Sequence, residues 1–501
     1  MFKKKRFSLI LSVQVFLLFG AIILSSTFYL QNRQTYLKGK NVLYPVGQVL
    51  GVQTLNIPLT IDFRQKINTG SSEVFGAAHG PSLEHTVAWD MLRNIGVTSM
   101  RRDINLQFET PSVSSPAQYR STYMSTNSTQ SFSNSRMEQT KSIFRFARER
   151  GMKSIAVTAY MPTWLSTNGK NNGLAKDWAV YEDLVKKVYS YHRIHLDYIE
   201  ISNEPDLNSF LDPTGTNLTR QEAYRELFLH TARAIRAVDQ EKNDGKIIKI
   251  GGGVTSYPLD TSYLDALLKN PEAKGYLSFT SYHTYGHNEP TSTKIKATLS
   301  KYGLPNLPIH ITEWNKSSDV TKKDTFHYST PAITFTANKL MNFLNNGYKG
   351  ANYFTMSASD PLRPNTVFSS YGIYEMINNV LKPYPQTKTW MVLSKKSGLG
   401  KGESNIYKTM YNTDTLLETI AFKNSAGLYG FAISNPTTTA YSVTVTLNNL
   451  DSSQRTKLTA YEASMSWDAN QPKGSLVTNL ANQNQVQIFV SPMTLVSVVL
   501  E

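Results

Sequence analysis

Two glutamates in this chain stand at the ends of short apolar runs, where their carboxyl groups could do acid–base chemistry. Glu204 lies just beyond the run 198–202, and Glu313 follows the run 307–312. Both runs are rich in β-branched and aromatic side chains, which predicts buried strands. Pro205 has no N–H to offer a ladder, so the first strand must stop before it. Two carboxyl groups at strand ends could cleave a glycosidic bond, one as proton donor and the other as nucleophile or base.

These two runs belong to a series of eight that alternates with amphipathic helical patterns. The apolar runs lie at 74–78, 99–104, 154–159, 198–202, 247–254, 277–282, 309–312 and 351–356. The helical patterns lie at 86–95, 137–149, 178–195, 220–239, 261–269 and 332–346. Eight strands that alternate with helices predict an α/β fold, the (β/α)8 TIM barrel. Glu204 would end the fourth strand and Glu313 the seventh, on the face where TIM barrels carry their active sites.

A doubly wound open sheet is the alternative fold for such a series. That fold would need a phosphate-binding glycine turn after its first strand, and this chain has none there. The run Gly251-Gly252-Gly253 lacks the G-x-G-x-x-G spacing. The polar insertion at 105–135 follows the second strand, so in a barrel it would lie on the substrate face.

Beyond about residue 386 the pattern changes to short alternating runs that are separated by Asn, Ser, Gly and Pro. They lie at 415–422, 428–434, 441–447, 457–462, 485–490 and 494–500. This predicts an antiparallel β-sandwich without a catalytic constellation. A strand at 57–63 lies outside the barrel series and could join this module. The predicted domains are therefore an N-terminal segment at 1–30, a stalk or linker with one strand at 31–69, the barrel at 70–385 and the β-sandwich at 386–501.

The N-terminal segment predicts export. Basic residues at 3–6 precede an almost wholly apolar run at 7–30, which is long enough to cross a bilayer as a helix. We favour a membrane anchor over a cleaved signal peptide, because only a poor small-x-small site follows the run. The positive-inside rule then places the body of the protein outside the cytoplasm, either anchored or secreted.

Composition excludes several classes of function. The chain has no cysteine, so disulfides, thiolate metal sites and cysteine nucleophiles are excluded. Its net charge is +15, from 52 Lys and Arg against 37 Asp and Glu. This charge is spread out without aromatic residues among basic runs, so no nucleic-acid partner is expected. A metal-dependent barrel deacetylase would need a cluster of ligands, and His79, His283 and His310 show no suitable spacing. No metal or other cofactor is therefore expected.

Three motifs at the predicted strand ends resemble those of clan A glycoside hydrolases. They are Asn203-Glu204-Pro205 on the fourth strand, Ser281-Tyr-His-Thr-Tyr285 on the sixth and Thr312-Glu313-Trp314 on the seventh. The closest resemblance is to family 39 and its exopolysaccharide-degrading relatives, over residues 70–385. It implies a (β/α)8 barrel, a trailing β-sandwich and hydrolysis of a sugar bond with retention of configuration.

The resemblance also implies roles for single residues. Glu204 matches the acid/base, and Glu313 matches the nucleophile. Asn203 matches the amide that hydrogen-bonds the sugar 2-hydroxyl group. His283 and Tyr285 match the pair on the sixth strand, in which the tyrosine bonds the nucleophile.

Four further residues are candidates for substrate binding or support. Arg101 matches the strand-two arginine that keeps the nucleophile ionised, although its neighbour Arg102 is an alternative. His79 at the end of the first strand and Trp164 after the third could line sugar subsites or pack in the core. Trp314 is expected to border the sugar site.

The substrate is expected to be an extracellular polysaccharide or oligosaccharide. A biofilm or capsular exopolysaccharide is the first hypothesis, and plant hemicellulose is the second. The eighth run carries Tyr353 and Phe354 where relatives often have tryptophan, so no sugar specificity is transferred from the family. The protein is expected to be a monomer. The alternative function is a catalytically silent, glycan-binding protein on a glycosidase scaffold.

Overall fold

The computed structural model describes most of the chain. It covers residues 54–500 apart from 125–133, 258–259, 287–291, 319–324, 358, 361–362, 368–371, 412–414, 451–456, 467, 472–473 and 477–483. The described part begins with strand β1 (Thr54–Gly70). The predicted membrane segment at 7–30 lies outside this part, and so does the middle of the polar insertion. Among the described helices, none combines the length and apolar character that a membrane crossing requires.

Eight parallel strands follow β1 and close into a barrel in chain order. They are β2 (Gly76–Ala78), β3 (Ser99–Asn105), β4 (Lys153–Ala159), β5 (Tyr198–Ile201), β6 (Lys249–Thr255), β7 (Leu277–Tyr285), β8 (Ile309–Asn315) and β9 (Gly350–Tyr353). Each overlaps one of the eight predicted runs. The barrel is therefore confirmed, and the open doubly wound sheet is wrong because β9 pairs with β2.

Helices connect the barrel strands. They are α1 (Thr86–Ile95), α2 (Leu106–Glu109), α3 (Pro116–Tyr119), α4 (Ser135–Glu149), α5 (Trp178–His192), α6 (Arg220–Lys242), α7 (Ser262–Lys269), α8 (Pro271–Tyr276), α9 (Thr293–Lys301) and α10 (Pro331–Asn345). Each of the six predicted helical patterns overlaps one of them. The described ends of the insertion after β3 hold α2 and α3.

Local sequence signals set the ends of the longest helix. The Thr219 side chain accepts a hydrogen bond from the backbone of Glu222, whose carboxylate bonds back to Thr219, so a capping box starts α6. Asn243 ends the helix in the left-handed conformation, which asparagine tolerates better than most residues.

The glycine run in β6 serves close packing in the barrel wall. A Cβ atom on Gly251 would lie 2.0 Å from the Phe279 ring, and one on Gly252 would lie 2.7 Å from Phe228. Neither position leaves room for a side chain. The run is thus explained by packing and not by phosphate binding.

Two hairpins follow β9, formed by β10 (Ser359–Asp360) with β11 (Arg363–Val367) and by β12 (Tyr374–Ile377) with β13 (Val380–Pro383). The short helix α11 (Thr387–Trp390) comes next. The remaining strands are β14 (Ser404–Tyr411), β15 (Glu418–Lys423), β16 (Tyr429–Asn435), β17 (Ala440–Asn448), β18 (Leu458–Ala463), β19 (Gly474–Leu476), β20 (Gln485–Val490) and β21 (Thr494–Leu500).

The C-terminal strands form a sheet separate from the barrel, largely antiparallel as predicted. Its order is β19-β18-β21-β16-β15-β14-β1-β17-β20, so β1 lies inside this sheet and covers the strand predicted at 57–63. The β1–β17 pair is parallel. The nine strands form a single hydrogen-bonded series, whereas a sandwich has two sheets. β20 nevertheless contacts β16 and β21, with which it shares no ladder, so the series folds back on itself.

The sheet and the helix α11 that precedes it are bonded to the barrel through specific contacts. The Trp390 indole nitrogen donates to the Phe75 carbonyl at 3.1 Å. Asn345 at the end of α10 donates to the Thr419 carbonyl on β15 at 3.1 Å. The first bond joins α11 to the residue before β2, and the second joins the sheet to the end of α10.

Candidate active site

Glu204 and Glu313 lie together at the C-terminal ends of the barrel strands, which we call the barrel mouth. Glu204 is just past β5, and Glu313 is near the end of β8. A carboxylate oxygen of one lies within 4.8 Å of a carboxylate oxygen of the other. Their side chains are 13% and 10% exposed, so both reach solvent from a largely dry setting. Two residues far apart in the chain thus meet at the barrel mouth.

The backbone around Glu204 is held in unusual conformations. Ser202 has φ of 71° and Glu204 has φ of 38°, a region that side chains other than glycine seldom adopt. Such residues persist only where the surroundings fix them, and they cluster at functional sites. The Ser202 N–H still reaches the Thr158 carbonyl at 3.0 Å, after which the chain turns and Leu207 N–H bonds the Glu204 carbonyl.

Both oxygens of the Glu313 carboxylate accept hydrogen bonds. Arg101 Nη1 donates to Oε1 at 2.7 Å, and the Tyr285 hydroxyl donates to Oε2 at 2.5 Å. Burial and the charge of Glu313 raise the pKa of Tyr285 well above its usual value, so this hydroxyl keeps its proton. The carboxylate is therefore held in one orientation by two fixed donors.

Arg101 connects several of the mouth residues. Its Nη2 atom donates to Asn203 Oδ1 at 2.9 Å, and its Nε donates to Glu200 Oε2 at 2.8 Å. The side chain is 1% exposed. Burial opposes its charge, but the charges of Glu200 and Glu313 outweigh burial and raise the pKa of the guanidinium. Arg101, and not Arg102, is therefore the arginine that faces Glu313.

Glu200 is a site residue that the sequence analysis missed. It is fully buried inside β5, and its Oε1 atom accepts hydrogen bonds from the Ser281 and Thr312 hydroxyl groups. With Arg101 on the other oxygen, this carboxylate has a complete set of partners. The sequence did carry a signal for it, which is an acidic residue in the middle of an otherwise apolar run. Alternate residues of a strand share a face, so Glu200 lies on the same side of β5 as Tyr198 and Ser202.

His283 lies between the two candidate catalytic carboxylates. Its Nδ1 atom is 2.7 Å from Glu204 Oε1 and 3.5 Å from Glu313 Oε2. Arg101 Nη2 is 3.5 Å from Nε2, and a guanidinium can only donate, so the neutral ring would donate from Nδ1 to Glu204. Burial opposes charge on the ring, but Glu313 and Glu204 outweigh burial and raise the pKa of His283.

Two other predicted binding residues lie on loops of the barrel mouth. His79 follows β2 with φ of 52°, and its buried ring meets Phe354 edge to face at 5.3 Å. Trp164 follows β4, is half-buried and stacks on Tyr119 at 5.5 Å.

The prediction that Trp314 borders the sugar site is wrong. Its ring is fully buried and packs against Trp390 and Tyr353, with centroid distances of 6.1 and 4.9 Å. Successive side chains of a strand face opposite sides. Because Glu313 faces the barrel interior, Trp314 must face the layer outside it.

The same mouth residues include the one group of potential metal ligands found in the described part of the chain: Glu204, His283 and Glu313. Glu313 is poorly suited to this role because Arg101 and Tyr285 occupy both of its oxygens and Arg101 adds a positive charge. His310, considered earlier as a ligand, lies at the start of β8 against Phe279. Burial lowers the pKa of His310 to about 3. The donor set therefore fits carboxylate chemistry better than a metal ion.

Comparison with known proteins shows what part of this barrel is similar to. Residues 173–377 match the family model described as the glycosyl hydrolase catalytic core. This segment contains Glu204 and Glu313 together with His283 and Tyr285.

Solved structures share the fold over nearly the whole described chain. The glycoside hydrolase family 30 subfamily 8 xylanase from Clostridium acetobutylicum superposes with a TM-score of 0.63 at 16% identity, over 89% of this chain and 99% of that chain. A glucosidase from Croceicoccus marinus gives 0.64 at 16% identity, over 90% and 99%. The GH39 enzyme from Xanthomonas axonopodis pv. citri gives 0.62 at 14% identity, over 92% and 100%.

These structural similarities, at such low identities, establish the shared fold, and the family model adds the catalytic core. The motifs that resemble clan A glycoside hydrolases occupy the strand ends of this fold. The chain thus shares the fold of these enzymes, and its residues 173–377 are similar to the glycosyl hydrolase catalytic core.

Proposed function

We propose that the protein cleaves glycosidic bonds with retention of configuration, with Glu204 as acid/base and Glu313 as nucleophile. The observation that carries this proposal is the carboxylate oxygen pair within 4.8 Å. Retaining enzymes place their two carboxyl groups about 5–5.5 Å apart, whereas inverting enzymes leave about 6.5–9.5 Å for a water molecule. The short separation supports direct attack by one carboxylate.

In the first step, Glu313 attacks the anomeric carbon and forms a carbon–oxygen bond. The bond from that carbon to the glycosidic oxygen breaks, and Glu204 gives its proton to this oxygen as it leaves. The product is a glycosyl ester on Glu313 and a free leaving-group hydroxyl.

In the second step, Glu204 accepts a proton from a water molecule whose oxygen bonds to the anomeric carbon. The ester bond to Glu313 breaks and restores both carboxyl groups to their starting states. Two displacements at one carbon leave its configuration unchanged.

The neighbouring residues support these roles. Arg101 and Tyr285 hold the two oxygens of Glu313 in place for attack. His283 hydrogen-bonds Glu204 and orients its carboxyl group. Asn203 is fixed through its carbonyl oxygen by Arg101, which leaves its amide nitrogen to meet the sugar 2-hydroxyl group.

The proposed substrate is a polysaccharide, because three loops of the barrel mouth carry exposed apolar side chains. Phe108 after β3, Leu207 after β5 and Tyr257 after β6 are 53%, 39% and 58% exposed. Exposed rings and aliphatic groups can contact the apolar faces of successive sugars. A biofilm or capsular exopolysaccharide is our first candidate, and plant hemicellulose is the second.

We further propose that the protein acts outside the cytoplasm. The apolar run at 7–30 after a basic N-terminus supports anchorage in, or export through, the cell membrane. The absence of cysteine fits an extracellular setting as well as any other, so the apolar run alone supports this location.

The test is polysaccharide hydrolysis by residues 41–501, on bacterial exopolysaccharides and plant glycans, with Glu204→Gln and Glu313→Gln alongside. Release of reducing ends by the wild type, and loss of that release in both variants, is the expected result. Glycan binding without cleavage, unchanged in both variants, would leave the silent glycan-binding scaffold as the function.

A further inference from the structure

Asp206, two residues after Glu204, makes three hydrogen bonds to a single residue on another loop. Its carboxylate accepts the Ser256 N–H at 3.0 and 3.1 Å and the Ser256 hydroxyl at 2.5 Å. Ser256 follows β6, the barrel strand next to β5. The side chain of Asp206 therefore ties the turn that carries Glu204 to the adjacent loop.

The backbone of Asp206 is held as well. Arg220, the first residue of α6, donates from Nη1 to the Asp206 carbonyl at 2.7 Å. The loop after β6 therefore holds the side chain of Asp206, and the start of α6 holds its main chain.

The turn that these bonds fix is the one in which Ser202 and Glu204 have positive φ. Two such residues within three positions are costly and need support from outside the turn. The buried ring of Pro205 removes one torsional freedom, but it makes no hydrogen bond that could hold the turn in place.

We propose that Asp206 is a positioning residue for Glu204: its bonds to Ser256 hold the turn that aims the Glu204 carboxyl group at the leaving oxygen. This inference rests on the proposed role of Glu204 as acid/base. Asp206 does not touch the substrate, and it acts only through the backbone of the Glu204 turn.

A positioning role has a kinetic signature that a stability role lacks. A small displacement of a catalytic group can cost about 100-fold in rate. Proton donation matters for a poor leaving group such as phenol and hardly at all for 2,4-dinitrophenol, which departs as a stable anion. The value of kcat/KM reports the first irreversible step, which here is departure of the leaving group. A misplaced acid therefore lowers kcat/KM for phenyl glycosides, which need the proton, and leaves it unchanged for dinitrophenyl glycosides.

The experiment compares phenyl and 2,4-dinitrophenyl glycosides of the sugar that the wild type releases in the polysaccharide panel, in the anomeric configuration that it cleaves there. Asp206→Asn replaces one acceptor with an NH2 group that faces the Ser256 donors. We expect its kcat/KM to fall about 10- to 100-fold on the phenyl glycoside and less than about twofold on the dinitrophenyl glycoside. Ser256→Ala, which removes only the hydroxyl bond, should show the same selective loss to a smaller extent.

Asp260→Asn is the matched control. Asp260 also lies between β6 and α7, and among the described residues its carboxylate accepts the backbone N–H of Ser262. This variant should match the wild type on both glycosides. Thermal unfolding of each variant shows that the compared proteins are folded.

The outcomes separate this inference from the proposed function. Equal kinetics of Asp206→Asn and wild type on both glycosides, or an equal loss on both, would overturn the positioning role alone. Wild-type rates in Glu204→Gln on the phenyl glycoside would overturn the role of Glu204 and this inference with it.

Discussion

Glu200 and Glu313 are bridged by one guanidinium. Arg101 Nη1 lies 2.7 Å from Glu313, and Arg101 Nη2 lies 2.7 Å from Glu200. One of these carboxylates is completely buried, and the other is at the opening of the mouth. The buried acid thereby fixes the arginine that orients the proposed nucleophile.

The first prediction concerns this buried acid. Glu200→Gln removes the negative charge that pairs with Arg101 and accepts hydrogen bonds from Ser281 and Thr312. The buried guanidinium loses a partner, so the free energy of unfolding should fall by about 3 kcal/mol. Urea unfolding measures this change. Glu226→Gln, whose half-exposed side chain pairs with the adjacent Arg225, should change stability by less than about 1 kcal/mol. A Glu200 variant as stable as the wild type would show that the bridge does not support the fold.

The second prediction distinguishes Arg101 from its neighbour. Arg101→Lys keeps one positive charge but cannot reach Glu200, Asn203 and Glu313 together, because lysine lacks the planar fork. We expect kcat/KM on the hydrolysed glycan to fall about 100-fold or more. Arg102→Lys should retain most activity in the folded protein, since Arg102 points to the other side of β3. Similar losses in both variants would contradict this assignment.

The third prediction concerns His283 and pH. Its pKa is raised in the folded protein above the ordinary value of 6.5, so the folded state binds more protons than the unfolded state in this range. The stability that His283 contributes is therefore complete below pH 6.5 and is lost as pH rises through the raised pKa. Urea unfolding between pH 6 and 9 should show this loss in the wild type.

The control for this titration is His283→Gln, which cannot take up the proton. Its stability should vary less over the same pH range, even where its absolute stability is lower. An identical pH dependence in both proteins would show that another group causes the loss.

The fourth prediction separates the two tryptophans near the strand ends. Trp314→Ala opens a cavity beside Trp390 and should lower the free energy of unfolding by about 3–5 kcal/mol, with KM unchanged. Trp164→Ala removes a half-buried ring at the mouth and should raise KM on a polysaccharide with a smaller loss of stability. A raised KM in the Trp314 variant alone would contradict the observed burial.

The sequence predicts the barrel well because its strands and helices differ in length and in the spacing of their apolar residues. All eight runs become strands, although β9 ends at Tyr353, before the end of the predicted run at 356. The single hydrogen-bonded series of the C-terminal sheet was beyond prediction, since strand order depends on long-range pairing. β1, for example, pairs with strands that lie several hundred residues later in the chain.

Side-chain direction explains the remaining differences at the site. The inward direction of Glu313 implies an outward Trp314, and an inward Arg101 implies an outward Arg102. Once the direction of one side chain on a strand is known, the sequence alone predicts the direction of its neighbours. The Asp206–Ser256 bonds were not readable, because they join two irregular loops whose conformations no local pattern specifies.

The most direct test of the proposed chemistry is to trap the glycosyl ester. A 2,4-dinitrophenyl 2-deoxy-2-fluoro glycoside of the released sugar, in the anomeric configuration that the wild type cleaves, should react with the protein. Its fluorine slows the second step, and peptide mass mapping would locate the adduct. We predict a single adduct on Glu313, lost in Glu313→Gln and still formed in Glu204→Gln. An adduct on another residue, or hydrolysis products with inverted configuration, would contradict the account.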